Sequence, residues 1–191
     1  MDWQAHGLAR LAVEPPGPAE VRDRMFFGRW PDTGPGAEIL GELDGRRVVE
    51  LGCGAGHHLA HLVDRHGAIG VGVDSAPAQI QRAMNKYGRL PGLAFTTADA
   101  TTSLTQGTKP FDIALSVFGA LSFTGPEPLL AAIRRRLAPG GLLVFSVRDD
   151  DKGEPAAPRW TSQLTGAGFT VGTVGRLSGA TLLISASAAD P

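Results

Sequence analysis

The sequence predicts an α/β fold, with a doubly wound and largely parallel sheet covered by helices on both faces. From residue 47 to residue 150, five short apolar runs alternate with stretches of helical spacing. Strands that are apolar throughout are typical of parallel sheets, which are buried on both sides. The last two apolar runs are joined only by RLSG (176–179), which is too short for a parallel crossover, so they must pair antiparallel.

Each element follows from its own local pattern. Up to residue 34 the chain is irregular, apart from a short helix predicted over 19–30, and Pro35 suits the first turn of a helix that runs to residue 43. The polar connection 100–110 is expected to hold a turn of helix at most. Strands are predicted within 47–51, 68–74, 92–99, 110–121, 142–150, 169–177 and 180–188, and the other helices within 56–66, 76–88, 126–141 and 159–168.

The composition is that of one globular domain and argues against several classes of protein. The chain has 191 residues, of which 42% are hydrophobic, and a formal net charge of -1. That balance gives no support for a nucleic-acid or anionic-membrane partner. The single cysteine, Cys53, excludes an intrachain disulfide. No run approaches the roughly 20 apolar residues of a membrane span, and no secretory signal is visible, so we expect a cytoplasmic protein.

A glycine-rich stretch, ELGCGAG (50–56), follows the first predicted strand. In a doubly wound sheet, ligands bind beyond the carboxyl ends of the strands, and glycine lets backbone turn sharply and approach a ligand closely. His57 stands where a dinucleotide fingerprint has its third glycine, which argues against a nicotinamide oxidoreductase. Glu50 would repel a pyrophosphate but can hold an ammonium group. The alternative is a turn with no ligand.

Acidic residues end the second and third predicted strands. Asp74 can accept both ribose hydroxyls of a nucleoside, or it can cap the next helix. Asp99 can accept an amino-group proton while a flat base lies over Ala100, or it can cap a loop. Asp112 begins the fourth strand at the opposite edge and is expected to be structural. Ser116 lies at the carboxyl end of that strand, near the ligand.

Four motifs, in the family's order, resemble the class I S-adenosylmethionine-dependent methyltransferases. They are the glycine loop, VGVD (71–74), ADATT (98–102) and LAPGGLLVFSV (137–147), and the resemblance runs from about residue 35 to the end. It implies a Rossmann-like seven-stranded sheet of order 3-2-1-4-5-7-6 whose last strand is antiparallel. It also implies two parts, an N-terminal lid or substrate segment (1–34) and an S-adenosylmethionine-binding domain (35–191).

The resemblance implies which residues meet the cofactor, S-adenosyl-L-methionine, and its product S-adenosyl-L-homocysteine. The glycine loop would wrap the methionine and ribose, Glu50 would lie beneath it near the methionine amino group, and Asp74 would hold the ribose. Adenine would lie against Asp99 and Ala100. The cofactor-binding residues expected are Glu50, Gly52, Cys53, Gly54, Gly56, Asp74, Ser75, Asp99, Ala100 and Ser116.

The implied activity is transfer of a methyl group to an oxygen or nitrogen of a small molecule in secondary metabolism. Many relatives carry a helical insert after strand five that roofs the substrate, but this chain has only RDDDKGEPAAPRW (148–160) there. The N-terminal segment must supply the lid, or the site is open. A second hypothesis is a protein of this fold that binds the cofactor but catalyses a non-methylating reaction, such as a cyclisation, or acts as a binding module. The oligomeric state is undetermined, and a homodimer remains one option.

Candidates for catalysis and substrate binding are weaker. His58 is a candidate base, and the alternative is that it only packs at the start of a helix. Asp149 is a second candidate base, and the alternative is that it belongs to a solvated acidic loop (149–151). Trp30 and Phe118 are candidate substrate contacts. Further residues serve a lid or substrate wall, or else core or helix surface: His6, Trp3, Phe26, Phe27, Phe123, His57, His61 and His66, of which the last two are expected on a helix surface. No histidine and carboxylate spacing indicates a metal site.

Overall fold

One seven-stranded sheet organises the chain in a computed structural model, which describes residues 2–149 and 156–189. The strand order is β3-β2-β1-β4-β5-β7-β6, and β7 runs in the opposite direction to the other six strands. The strands are β1 Arg47–Leu51, β2 Ile69–Asp74, β3 Leu93–Thr97, β4 Phe111–Val117, β5 Leu137–Arg148, β6 Phe169–Leu177 and β7 Thr181–Ala188. The predicted fold class, strand order and antiparallel hairpin are confirmed.

Helices cover both faces of the sheet. They are α1 Trp3–Leu11, α2 His57–His66, α3 Pro77–Tyr87, α4 Ala100–Gln106, α5 Pro126–Arg136 and α6 Ala156–Gly166, with short 3-10 turns at Ala37–Leu40 and Ala120–Ser122. Buried side chains of α4, α5 and α6 form one core cluster with the sheet. Those of α2 and α3 form the other, together with Met25 and Phe27 of the N-terminal segment. None of the described helices is long and apolar enough to span a bilayer.

The reversal of strand order beside β1 determines where a ligand can bind. β1 pairs with β2 on one side and with β4 on the other, all three parallel. The loops that leave their carboxyl ends therefore diverge and leave a crevice between them. At the opposite edge Asp112 is structural, as predicted, because its Oδ2 accepts the Arg47 backbone N–H at 2.8 Å and its Oδ1 pairs with Arg46 at 3.1 Å.

The N-terminal segment differs from its prediction. The helix lies at Trp3–Leu11, where Asp2 caps it by accepting the Ala5 N–H at 3.0 Å, whereas residues 19–30 contain no helix. Residues 19–30 instead contribute Met25 and Phe27, both fully buried, to the core. Helical periodicity would place these neighbouring side chains on different faces. Burial against the sheet therefore outweighs the local helical preference.

Two other helix predictions also need correction. The helix expected over 35–43 is only the 3-10 turn Ala37–Leu40, which ends at Gly41 with φ +74°. The connection expected to hold a turn of helix at most contains the seven-residue α4. Asp99 caps α4 by accepting the Thr102 N–H at 2.9 Å, and this side-chain hydrogen bond compensates for weak helix-forming residues.

A buried ion pair anchors the N-terminal segment to α3. Glu14 accepts from both Arg82 Nε, at 3.0 Å, and Arg82 Nη2, at 2.5 Å, and Lys86 lies 3.3 Å from the same carboxylate. The side chains of Arg82 and Glu14 are only 8% and 11% exposed. Hydrogen bonds from Arg82 are the main cause that lowers the pKa of Glu14 from 4.5 to about 2. Arg82 Nη1 also donates to Gln79 Oε1, so the pair links the segment to α3.

We predict that Glu14→Gln destabilises the protein at neutral pH by about 1–3 kcal/mol, because Arg82 loses a charged hydrogen-bond partner. The folded-state pKa of Glu14 is depressed, so its contribution is present above the unfolded pKa of 4.5 and is lost as pH falls toward 2. Urea unfolding of both proteins between pH 7 and pH 2 measures this. The control is Arg10→Gln, which removes an exposed partner 3.5 Å from Glu14 and should cost about 0.5 kcal/mol or less. A difference that does not vary with pH would contradict the assignment.

Candidate functional site

The glycine loop between β1 and α2 is held tightly against its neighbours. The backbone N–H groups of Gly52 and Cys53 both donate to Val73 O, at 2.8 and 3.0 Å. Gly52 has φ +80°, and a Cβ there would lie 2.5 Å from the backbone nitrogen of Ala120. A side chain at this position is therefore excluded twice, by backbone conformation and by the turn after β4.

Asp74 connects the glycine loop to the start of α3. Its Oδ2 accepts the Gly54 N–H and its Oδ1 accepts the Ala76 N–H, both at 2.9 Å. The carboxylate thus forms a turn before α3 but does not cap that helix, because its N-cap is Ala76 and no side chain makes a cap hydrogen bond, so the capping interpretation is wrong. Asp74 also lines the cavity described next, so it is placed to bind a ligand, which was the other interpretation.

A cavity of about 260 Å³ lies at the carboxyl ends of β1, β2 and β4. It brings together eight residues that the sequence analysis singled out: Trp3, Gly52, Asp74, Ser75, Asp99, Ala100, Phe118 and Phe123. The remaining wall comes from Val73, Gln79, Ala98, Val117, Gly119, Ala120 and Thr124. Phe118 has φ +47°, an uncommon conformation for a large side chain, and its backbone N–H donates to Ser146 O at 2.9 Å. Two carboxylates in a largely apolar cleft suit a ligand with a flat body and several hydroxyl or amino donors.

The structure does not bring every expected cofactor residue to this cavity. Cys53, Gly54 and Gly56 belong to the loop but do not line the cavity, and burial raises the pKa of the Cys53 thiol. Ser116, expected beside the ligand, is fully buried instead. Its hydroxyl donates to Leu51 O at 3.1 Å and accepts the Leu121 N–H at 3.2 Å, so it ties β1 to the turn after β4.

Glu50 and His58 form a buried pair beneath the glycine loop. Glu50 is 1% exposed, and its Oε1 lies 3.0 Å from His58 Nδ1. Glu50 Oε2 is buried and has no hydrogen-bond partner in the described part of the chain. An unpaired buried carboxylate oxygen is costly, so this atom is a natural acceptor for a cationic or N–H group. His58 itself does not line the cavity and packs edge-on against Phe26, with ring centroids 5.6 Å apart.

The other helix-α2 histidines are structural. His57 Nδ1 lies 2.8 Å from the Tyr87 hydroxyl, and burial, followed by the Arg22 charge, lowers the pKa of His57 to about 3. His61 was expected on a helix surface, which is wrong: it is 4% exposed, and its Nδ1 lies 2.9 Å from Arg22 O. The N-terminal segment covers that face of α2, which the helical period alone does not reveal. His66 is exposed, as expected.

Asp149 and Trp30 lie outside the cavity. Asp149 is paired with Arg176 at 2.7 Å, and its Oδ1 is buried with no partner among the described residues. Asp150 and Asp151, the rest of the expected acidic loop, fall outside the described residues. Trp30 is 58% exposed and stacks under Arg29 at 5.4 Å. Of the aromatic residues proposed for a substrate wall, Trp3, Phe118 and Phe123 meet at the cavity, whereas Phe27 is core.

Sequence reasoning missed Gln79 as a cavity residue. It is 3% exposed and its Oε1 accepts from Arg82 Nη1 at 2.5 Å, which leaves the amide NH₂ as the group available to the cavity. Its position five residues after Asp74, on the first turn of the next helix, was the available signal. Within the described ranges, no three His, Cys, Asp or Glu side chains are grouped so as to hold a metal ion.

Comparisons with known proteins agree with this geometry. Residues 48–141 match a family model described as a methyltransferase domain. The chain is 32% identical over 127 residues to the phthiotriol/phenolphthiotriol dimycocerosates methyltransferase 1 of Mycobacterium ulcerans, covering 66% of this chain and 45% of that protein. It is 33% identical over 122 residues to the trans-aconitate 2-methyltransferase of Methylobacterium nodulans, covering 62% and 45% respectively. The chain thus spans less than half the length of these curated relatives.

A solved structure has the same fold. It is the 1,6-didemethyltoxoflavin-N1-methyltransferase of Burkholderia thailandensis with bound 1,6-didemethyltoxoflavin and S-adenosylhomocysteine. The TM-score is 0.65 at 24% identity, over 81% of this chain and 75% of that one. Strand order, glycine loop and family match converge on one conclusion: the chain belongs to the class I S-adenosylmethionine-dependent methyltransferases.

Proposed function

We propose that this chain transfers a methyl group from S-adenosylmethionine to an oxygen or nitrogen of a small molecule. The observation that carries the proposal is the cavity that Asp74 and Asp99 both line, together with Gly52 of the glycine loop. Curated relatives named for trans-aconitate and for ubiquinone biosynthesis support a small acceptor. We also infer a role in secondary metabolism and a cytoplasmic location, the latter supported by the single cysteine, which suits a reducing compartment.

The residues present fit the cofactor of the family. When bound, S-adenosylmethionine supplies an activated methyl group on a positively charged sulfur. Asp74 would accept from the ribose hydroxyls with the lone pairs not used by the loop, and Asp99 and Ala100 would meet the adenine. Gly52 lets the ligand approach the backbone. The orphaned Glu50 Oε2 would accept from the methionine ammonium group, either directly or through water.

The described cavity residues position the reactants and supply no evident base. No histidine, lysine or tyrosine is among the residues that line the cavity. When bound, the cofactor would offer its methyl group to an in-line displacement by the acceptor atom, and the residues that line the cavity would orient the two reactants. Such a displacement depends mainly on orientation, so an acceptor that ionises readily needs little further help. This arrangement favours a role for His58 in orienting Glu50 rather than as a base.

The N-terminal segment is proposed as the lid. Trp3 lines the cavity and packs edge-on against Phe123, with ring centroids 5.7 Å apart. Gln4 accepts the Ala78 N–H at 2.9 Å. A Cβ at Gly7 would lie 2.8 Å from the Cβ of Ala78, so only glycine lets α1 approach α3 this closely. Together with the Glu14–Arg82 pair, these contacts support a lid made by residues 1–34, with residues 35–191 as the cofactor domain.

We predict that Asp74→Ala raises the dissociation constant for S-adenosylhomocysteine by about 10- to 100-fold, because charged hydrogen bonds to the ribose and to the loop are lost. Isothermal titration calorimetry measures this. Asp112→Ala is the matched control, since it removes a carboxylate with comparable hydrogen bonds at the opposite edge of the sheet. Unchanged affinity in Asp74→Ala would refute the ribose assignment.

We predict that His58→Ala weakens S-adenosylhomocysteine binding about tenfold and leaves 5′-methylthioadenosine binding unchanged. The second ligand lacks the amino acid portion, so it does not depend on a correctly oriented Glu50. His66→Ala, on the exposed side of the same helix, should alter neither affinity. An equal loss for both ligands would mean that His58 only maintains the glycine loop.

We predict that Trp3→Ala weakens S-adenosylhomocysteine binding several-fold and speeds its dissociation, because an aromatic wall of the cavity is removed. Stopped-flow displacement measures the rate. Trp30→Ala removes an exposed tryptophan of the same N-terminal segment and should have no effect. If the two variants behave alike, the lid assignment is wrong.

A further inference from the structure

The side-chain amide of Gln79 is held in one orientation at the cofactor cavity, the cavity that Asp74 and Asp99 also line. Gln79 lies on the first turn of α3 and is only 3% exposed. Its Oε1 accepts from Arg82 Nη1 at 2.5 Å. A guanidinium has donors and no acceptor, so the amide oxygen must face Arg82 and the NH₂ group must point away from it. The amide nitrogen makes no hydrogen bond to any described residue.

The N-terminal segment determines this orientation. While Nη1 of Arg82 holds Gln79, Nε and Nη2 of the same guanidinium donate to the carboxylate of Glu14, at 3.0 and 2.5 Å. Both members of the ion pair are largely buried, and a planar guanidinium that is bonded on two sides has little freedom to turn. Glu14 therefore fixes Arg82, and Arg82 fixes Gln79. A segment distant in sequence decides which group of Gln79 a ligand meets.

A free N–H donor complements the two carboxylates of the cofactor cavity. Ionised Asp74 and Asp99 can only accept, so they suit the hydroxyl and amino groups of a nucleoside. The ring nitrogens of adenine and the ribose oxygens are acceptors and require a donor. A buried N–H group without a partner is costly, so an acceptor atom beside it is favourable. Glu50, the residue proposed for the methionine end, does not line this cavity, which places Gln79 at the nucleoside end.

We propose that Gln79 binds the cofactor by donating its amide N–H to an acceptor atom of the adenosine portion, and that Arg82 and Glu14 position this amide. Neither Arg82 nor Glu14 lines the cavity, so both act through Gln79. The inference rests on the cofactor site proposed above. It adds a specific link by which the N-terminal segment controls cofactor affinity, in addition to covering the cavity.

The test is calorimetric titration of S-adenosylhomocysteine and 5′-methylthioadenosine into the wild-type protein and Gln79→Glu. Glutamate has the same shape and accepts from Arg82 through a charged hydrogen bond, but it presents an acceptor in place of the NH₂ group. Both dissociation constants should rise about tenfold, because both ligands carry adenosine. Gln81→Glu, at an exposed position of the same helix, is the matched control and should alter neither. Wild-type affinity in Gln79→Glu would refute the proposal, because a merely structural Gln79 tolerates an oxygen there.

A double-mutant cycle tests the positioning role of Arg82. Arg82→Lys keeps the positive charge beside Glu14, but its single nitrogen cannot replace a guanidinium that bonds both neighbours, so the Gln79 amide can turn. The affinity for S-adenosylhomocysteine should fall about threefold in the wild-type background and no further in a Gln79→Leu background. Equal losses in the two backgrounds would refute the positioning role. If the wild-type protein binds neither ligand, the proposed function and this role of Gln79 both fail, whereas wild-type binding that Gln79→Glu leaves unchanged refutes this inference alone.

Discussion

The carboxylate of Asp74 is the constraint on which the site depends. By accepting from Gly54 and Ala76 it fixes the glycine loop against the start of α3, and it does so from the end of β2. The same loop donates backwards to Val73 O. Three successive backbone N–H groups of the loop, from Gly52 to Gly54, are therefore held by the end of β2, and a ligand meets a backbone that is already positioned.

Two polar side chains, Ser116 and Glu50, are buried behind the glycine loop, and they have different roles. Ser116 uses its hydroxyl to tie β1 to the turn Ala120–Ser122, so it supports the site without facing it. Glu50 is held by His58 through one oxygen, and its second oxygen has no partner in the described chain. Ser116 thus has hydrogen-bond partners within the fold and stabilises it, whereas Glu50 keeps an acceptor atom for a ligand.

As the proposed lid, the N-terminal segment would take the place of the insert that follows β5 in many relatives. The Glu14–Arg82 pair attaches it to α3, and Arg82 in turn holds Gln79, which lines the cofactor cavity. One guanidinium thus both attaches the N-terminal segment and holds the Gln79 amide. Phe118 and Phe123 also line a second, smaller cavity, whose wall includes Trp160 of α6.

The sequence by itself determined the sheet, the glycine loop and the acids at the ends of β2 and β3, because these depend on local periodicity, on left-handed glycines and on the order of motifs. Tertiary structure decided the rest. It buried His61 and Ser116, moved the N-terminal helix to Trp3–Leu11, and kept Trp30 outside the cavity. It also brought Trp3, Gln79 and Phe123 together from distant positions. Such contacts depend on how segments without periodicity pack. The free energy of burial is summed over residues that are distant in sequence, so a short window of sequence cannot predict it.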